Sequence, residues 1–194
     1  MSDWGDFPAR RIDTATPLFR IHQRHHHPAW FNTDGLLRFD PPQGHRDRFG
    51  VCYLGLEPLA SYVEVFGRIR VVPKAELDGR RLSELTVRHV VEVADLTDRA
   101  VLGAFGITAA HSVGTDYGPA QELASRLFEV GFDGIVYRVR HDPAMELEAV
   151  ALFGEPGETP NRFYPPKSSP IAQELVAAGR GFHIDVIPAA PLPS

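Results

Sequence analysis

The stretch VCYLGLEPLASYVEVFG, residues 51–67, changes its hydrophobic period halfway along, and that change commits the chain to a strand–turn–helix unit. Residues 51–56 form a short apolar run of strand type. Glu57 and Pro58 interrupt it, and Pro58 suits the first turn of a helix continuing through PLASYVEVFGR. Two side chains sit awkwardly in this unit. Tyr53 gives a buried-looking strand a hydroxyl, and Glu64 puts a carboxylate into a helix otherwise built from Leu, Ala, Val and Phe. Burying a charge is costly unless it has a partner, so Glu64 asks for one.

Around this unit the patterns do not alternate regularly. LFRIHQ (18–23) reads as a first strand after a polar lead-in, residues 1–16. IRVVP (69–73) and VRHVVEVAD (87–95) read as two more, joined through AELDGRRLSEL. Residues 96–116 are a mixed helix or loop region. GPAQELASRLFEVG (118–131) has apolar residues at helical spacing and ends on Gly131. GIVYRVR and LEAVALFG read as strands around the loop HDPAME. The tail holds a short helix, IAQELVAAG, and a terminal strand, FHIDVIPA. Strands outnumber helices without a repeating β–α order, which makes the fold class α+β. At 194 residues the chain is expected to be one domain, 1–194, with residues 156–194 packing on it as a C-terminal extension. Residues 24–50 form a long Pro- and Gly-punctuated connection, and a segment of that kind more often builds a site than merely joins elements.

Composition narrows the classes. A net charge of −5 gives no bulk attraction to nucleic acid, so no direct nucleic-acid partner is expected. Cys52 is the single cysteine, so no internal disulfide forms, and its place in an apolar strand indicates core packing. No apolar run approaches the roughly 20 residues of a membrane span, and residues 1–13 lack the apolar core of a signal peptide. The expected setting is the cytoplasm, with no membrane partner.

Familiar catalytic motifs are missing: there is no Gly-rich phosphate loop, no G-x-S-x-G and no cysteine-based zinc spacing. His22, His25, His26 and His27 crowd into HQRHHHP, but near-consecutive residues seldom supply a metal's geometry, and a solvated or substrate-lining loop is the better reading; no metal site is assigned. The more informative pattern is distributed: Arg20 in the first strand, Arg38 in LLRFDP, Tyr53 and Glu64. Taken singly, Arg20 and Glu64 read as a structural ion pair, Tyr53 as a core aromatic and Arg38 as a loop anchor. Taken together, two arginines can grip a pyrophosphate, an aromatic ring can face a flat cationic heterocycle, and a carboxylate can hold hydroxyls beside a developing positive charge.

Four pieces in order resemble the RES domain family: LFRIH; LRFDP, where the family commonly has Arg-Phe-Asn; VCYLGLEPLASYVEV, similar to its Tyr-Leu-Ala strand and Ala-x-x-Glu helix; and GFDGIVYRVRHDP with VALFG, similar to its Asp-Gly-Ile-x-Tyr strand and closing strand. The likeness spans roughly residues 17–155. It implies a split mixed β-sheet with flanking helices, as in ADP-ribosyltransferases. It also implies a toxin of a toxin–antitoxin pair, acting beside an Xre-type helix-turn-helix antitoxin. The implied activity is cleavage of the nicotinamide–ribose bond of NAD, by phosphorolysis or hydrolysis; the alternatives are protein ADP-ribosylation on the same scaffold, or a catalytically weakened NAD-binding relative. NAD is then substrate rather than cofactor, with inorganic phosphate as co-substrate in the phosphorolytic case. By position, Glu64, Tyr53 and Arg20 are the implied catalytic residues, and Arg20, Arg38 and Tyr53 the implied NAD contacts; Arg140, which with Arg138 flanks the family's Ser position, is a further candidate contact to the phosphate. The family's Ser falls at Val139, unless the alignment slips to Ser112 or Ser125. The Pro-rich ends and apolar C-terminal segment leave room for a homo-oligomer or antitoxin surface.

Overall fold

The structure, a computed structural model, describes residues 3–108, 111 and 114–188. In chain order its strands and helices are β1 (Ala9–Ile12), β2 (Leu18–Gln23), β3 (Trp30–Phe31), β4 (Gly50–Gly55), α1 (Pro58–Phe66), β5 (Val71–Pro73), α2 (Lys74–Asp78), β6 (Arg80–Leu85), β7 (Val91–Asp95), α3 (Arg99–Ala104), α4 (Gly118–Glu129), β8 (Gly134–Arg138), β9 (Glu148–Gly154), β10 (Gly157–Glu158), β11 (Lys167–Ser169), α5 (Gln173–Gly179) and β12 (Asp185–Ile187). Among the described residues, eight strands make one mixed sheet in the order β1-β7-β8-β9-β4-β2-β6-β11. β7 and β8 run parallel, which the crossover through α3 and α4 permits, and the other neighbours in the sheet are antiparallel. The class is α+β, as the sequence indicates.

The decisive feature is a split. β4 pairs with β9 over six residues, and β2 pairs with β6 over six, yet β2 and β4 meet at Phe19 and Gly55 alone. Beyond that point they diverge, leaving Ile21 and Tyr53 on the walls of an opening. α1 lies over it, with Ala60, Val63 and Phe66 buried in the core. Its Ser61 Oγ accepts the Ile21 N–H at 2.9 Å, closing a backbone group that the missing β2–β4 ladder leaves open. Burial of each large apolar side chain in this layer stabilises by about 1.5–3 kcal/mol. A second core, including Leu18, Phe31, Cys52, Leu54 and Phe163, covers the other face.

Gly55 sets how close α1 comes to β4. A Cβ there would lie 2.6 Å from the Ser61 nitrogen and 2.7 Å from the Glu57 oxygen, both backbone atoms. Gly55→Ala is therefore expected to lose about 1–3 kcal/mol of stability, as overpacking does, and to displace Glu64 with the helix. A thermal melt and an activity assay on the same preparation check both halves of this expectation.

Three strands of the large sheet were not legible in the sequence. β1 lies in the supposed lead-in; only Ile12 of its side chains is buried, and Arg10 fastens the strand by donating to Asp95 Oδ2 (3.0 Å) and Thr97 Oγ1 (2.9 Å) and by pairing with Glu148. β6, RRLSEL, reads as part of a connection because charges interrupt its alternation. β11, three exposed residues, joins its edge. The helix and strand expected in the tail appear as α5 and β12, the latter beside β5. His22 is a core histidine bonded to Ser83 Oγ at 2.8 Å, whereas His25 and His26 are exposed. Among the described residues, no group of three or more His, Cys, Asp or Glu is placed to hold a metal, and no helix is long and apolar enough to cross a membrane.

Candidate active site

The split opens into a cavity of ≈ 630 Å³, and Arg20, Arg38, Tyr53, Glu64 and Arg140 all line it. Residues far apart in sequence thus reach one space. β2 carries Arg20, the long 24–50 connection Arg38, β4 Tyr53 and α1 Glu64, while Arg140 follows the end of β8. Arg68 and Arg80 also reach the cavity, so five arginines share it with one carboxylate, Glu64. Arg80 is neutralised by Glu76 at its back. The remaining excess is cationic and suits an anionic ligand.

Glu64 and Arg38 form the centre. Arg38 is 7% exposed, and its Nη2 stands 4.0 Å from Glu64 Oε1. Its guanidinium carbon lies 5.2 Å from the Tyr137 ring centre and 5.4 Å from that of Phe39. The Nε and Nη1 groups of Arg38 are buried with no hydrogen-bond partner, as is Glu64 Oε2. Unmet buried donors of this kind cost about 1–3 kcal/mol each, and more when charged. A protein retains such groups where a ligand completes them. Glu64 Oε1 accepts from the Tyr137 hydroxyl at 3.1 Å. Burial raises the Glu64 carboxyl above the usual range, and Arg38, Tyr137 and Arg140 offset only part of that rise.

Tyr53 lines the cavity, but its hydroxyl faces away from any ligand role. It donates to Asp40 Oδ1 at 3.0 Å and accepts the Phe39 N–H at 2.9 Å. Burial, chiefly, and the neighbouring Asp40 push its ionisation far above the ordinary phenol range, so it stays a neutral donor. The ring remains available to the cavity. Arg20 is anchored through Nη1, which donates to the Pro28 oxygen (2.6 Å), the Trp30 oxygen (2.7 Å) and Cys52 Sγ (3.1 Å); its other guanidinium nitrogens have no protein partner among the described residues. Arg20 and Glu64 are therefore not the ion pair that their isolated reading suggests; Arg38 is the partner of Glu64. Arg140 lies over the Tyr117 ring at 5.4 Å and donates through Nε to His141 Nε2 at 3.2 Å. Asp142 ties its loop by accepting the Ala144, Glu146 and Leu147 N–H groups.

Val139 is the exception among the expected contacts. Its side chain is fully buried in the core and does not line the cavity, and its N–H donates to the Leu147 oxygen at 2.9 Å. Val139 lies one residue past the end of β8 and packs, like Tyr137, into the main core. Ser125, the alternative site, is on α4, buried, and outside the cavity lining; Ser112 lies outside the described residues. Tyr137 was missed because GIVY reads as continuous core, and it is indeed 3% exposed. The signal that could have found it is a hydroxyl in a strand already suspected of flanking the site.

This is an α+β protein whose split sheet holds an arginine-rich anion pocket around one half-buried carboxylate. The chain belongs to the RES domain family, whose model matches residues 17–169. That match extends past residue 155 and takes in β10 and β11. The fold is similar to that of a chain in the crystal structure of the M. tuberculosis MbcT–MbcA toxin–antitoxin complex, with a TM-score of 0.62 and 20% identity, covering 86% of this chain and 92% of that one. No curated protein matches the sequence.

Proposed function

We propose that this chain is the toxin of a toxin–antitoxin pair and cleaves the nicotinamide–ribose bond of NAD. The observation that carries the reading is the pairing of Arg38, with two buried unpartnered nitrogens, and Glu64, with an unpartnered oxygen, in one cationic cavity. In this reading Arg38 and Arg20 grip the pyrophosphate, Arg140 adds positive charge, and the Tyr53 ring faces the nicotinamide. Glu64 Oε2 accepts a ribose hydroxyl and stabilises positive charge at the anomeric carbon. The bond from that carbon to the nicotinamide nitrogen breaks, and its electron pair neutralises the pyridinium. An oxygen of water or of inorganic phosphate then bonds to the anomeric carbon, and its proton is released. Val139 has no ligand contact in this scheme.

Membership of the RES family supports NAD as substrate, and the fold likeness to a chain of a toxin–antitoxin complex supports the pairing. An Xre-type helix-turn-helix protein is the proposed antitoxin. Leu36, Leu37 and Ile69 line the cavity and are exposed, an apolar rim suited to a protein partner. Expression of the chain without antitoxin is expected to arrest growth and lower cellular NAD, while Glu64→Gln and Arg20→Ala leave both near normal. Arrest with NAD at its ordinary level contradicts the reading. Labelled ADP-ribose accumulating on protein, without free product, turns it towards protein ADP-ribosylation.

A further inference from the structure

Asp40 touches no proposed substrate atom, yet it is completely buried and accepts three hydrogen bonds. The Tyr53 hydroxyl donates to Oδ1 at 3.0 Å, and Asn32 Nδ2 and the Leu37 N–H donate to Oδ2 at 3.1 and 3.0 Å. The Asp40 N–H in turn donates to the Leu37 oxygen at 3.2 Å, closing a turn with Arg38 at its second position. Tyr53 then takes the Phe39 N–H at 2.9 Å, so the residues on both sides of Arg38 are fastened to β4 or to each other. On the far side, Gln121 of α4 donates to the Gly35 and Leu37 oxygens at 2.9 and 3.0 Å.

We infer that Asp40 is a positioning residue: its carboxylate clamps the 37–40 turn to Tyr53 and thereby presents the Arg38 guanidinium to an anion in the cavity. This rests on the reading of Arg38 as an anion-gripping group. The donor count explains why a carboxylate stands here. All three neighbours of Asp40 point hydrogens at it, and a carboxylate is acceptor-only. Because the Tyr53 oxygen accepts from Phe39, its own hydrogen is directed at Asp40. An amide at position 40 would face at least one of these donors with a donor of its own, whichever way it is turned. Arg38 Nε and Nη1 have no hydrogen bond to hold them; beside the 4.0 Å contact with Glu64 and the Phe39 and Tyr137 rings, the guanidinium's direction depends on the backbone that carries it. Tyr53 thus serves the site twice, through its ring in the cavity and its hydroxyl in the clamp.

The test uses the full chain in a Glu64→Gln background, where NAD binds without turnover. Asp40→Asn is expected to weaken the Kd for NAD about tenfold, the loss of roughly one hydrogen bond involving a charged group. Tyr53→Phe is expected to weaken it similarly, and the double variant no more than the weaker single, because both break one clamp. In hydrogen exchange of the free protein, the Leu37 and Phe39 amides should exchange faster in Asp40→Asn, with β9 unchanged. A merely structural aspartate would instead lower Tm and leave Kd alone. An unaltered Kd, or unaltered exchange at 37–40, overturns the inference. If the background variant does not bind NAD, inorganic pyrophosphate replaces it. Pyrophosphate binding weakened by Asp40→Asn keeps the clamp while removing the NAD reading, and no pyrophosphate binding overturns the clamp as well.

Discussion

Glu64→Gln is expected to lower nicotinamide release from NAD about a hundredfold to a thousandfold while leaving the protein folded and more heat-stable at neutral pH. The activity loss follows from removing a preorganised charge beside the reacting carbon, an effect of that size when the site excludes water. The gain in stability follows from burial. Desolvation raises the Glu64 carboxyl in the folded chain above its unfolded value. Such a group folds most favourably when protonated, so its charge costs stability as pH rises through the folded value, and that cost is absent below the unfolded one. Glutamine mimics the protonated form. The Tm advantage of the variant is therefore expected near neutrality and should vanish towards acid, below the ordinary glutamate range. The same shift places the acid limb of the activity profile above that range, because only ionised Glu64 can stabilise positive charge. Thermal melts and rate measurements across pH check both signs; a variant that is less stable at neutral pH contradicts the account of the charge.

Arg38→Ala is the second large effect. It removes the guanidinium whose Nε and Nη1 stand unpartnered, so the ligand loses charge-assisted hydrogen bonds worth about 1.5–3 kcal/mol each, or about tenfold to a hundredfold in Kd per bond. It also removes the strongest influence holding the Glu64 carboxyl down against desolvation, the Arg38 charge, so the acid limb should move further up in pH. Arg38→Lys keeps the charge but not the planar fork, and should fall between wild type and alanine. Titration of NAD into each variant, with Glu64→Gln to prevent turnover, measures the first effect. The pH profile of the alanine variant measures the second. Unchanged affinity in Arg38→Ala would place the anion elsewhere in the cavity.

The parts of the site legible in the sequence were those that broke a local rule. Tyr53 and Glu64 interrupted an apolar strand and an apolar helix face, and Pro58 marked where one became the other; the structure places both on one cavity. Arg38 stood out as a charge between apolar residues, and it is buried beside Glu64. Asp40 and Tyr137 broke no rule. An aspartate before Pro41 and Pro42 reads as turn chemistry, and a tyrosine in GIVY reads as core. Their roles arise from contacts across 13 and 73 positions of chain, which no local pattern carries. The resemblance puts the family's Ser at position 139, but β8 ends at Arg138 and Val139 is buried in the core. The sheet itself was legible in its central strands, where apolar runs are dense. It was not legible in β1 and β6, where Arg10, Arg80 and Glu84 use the strand for ion pairs.

The central claim is that this cavity breaks the nicotinamide–ribose bond. Nicotinamide release from NAD by the purified chain, measured with and without inorganic phosphate, tests it most directly. Nicotinamide is expected to be released in at least one of the two conditions and lost in Glu64→Gln, with faster release in phosphate marking phosphorolysis and equal rates marking hydrolysis. NAD bound by the wild-type chain yet intact after hours in both buffers would contradict the claim.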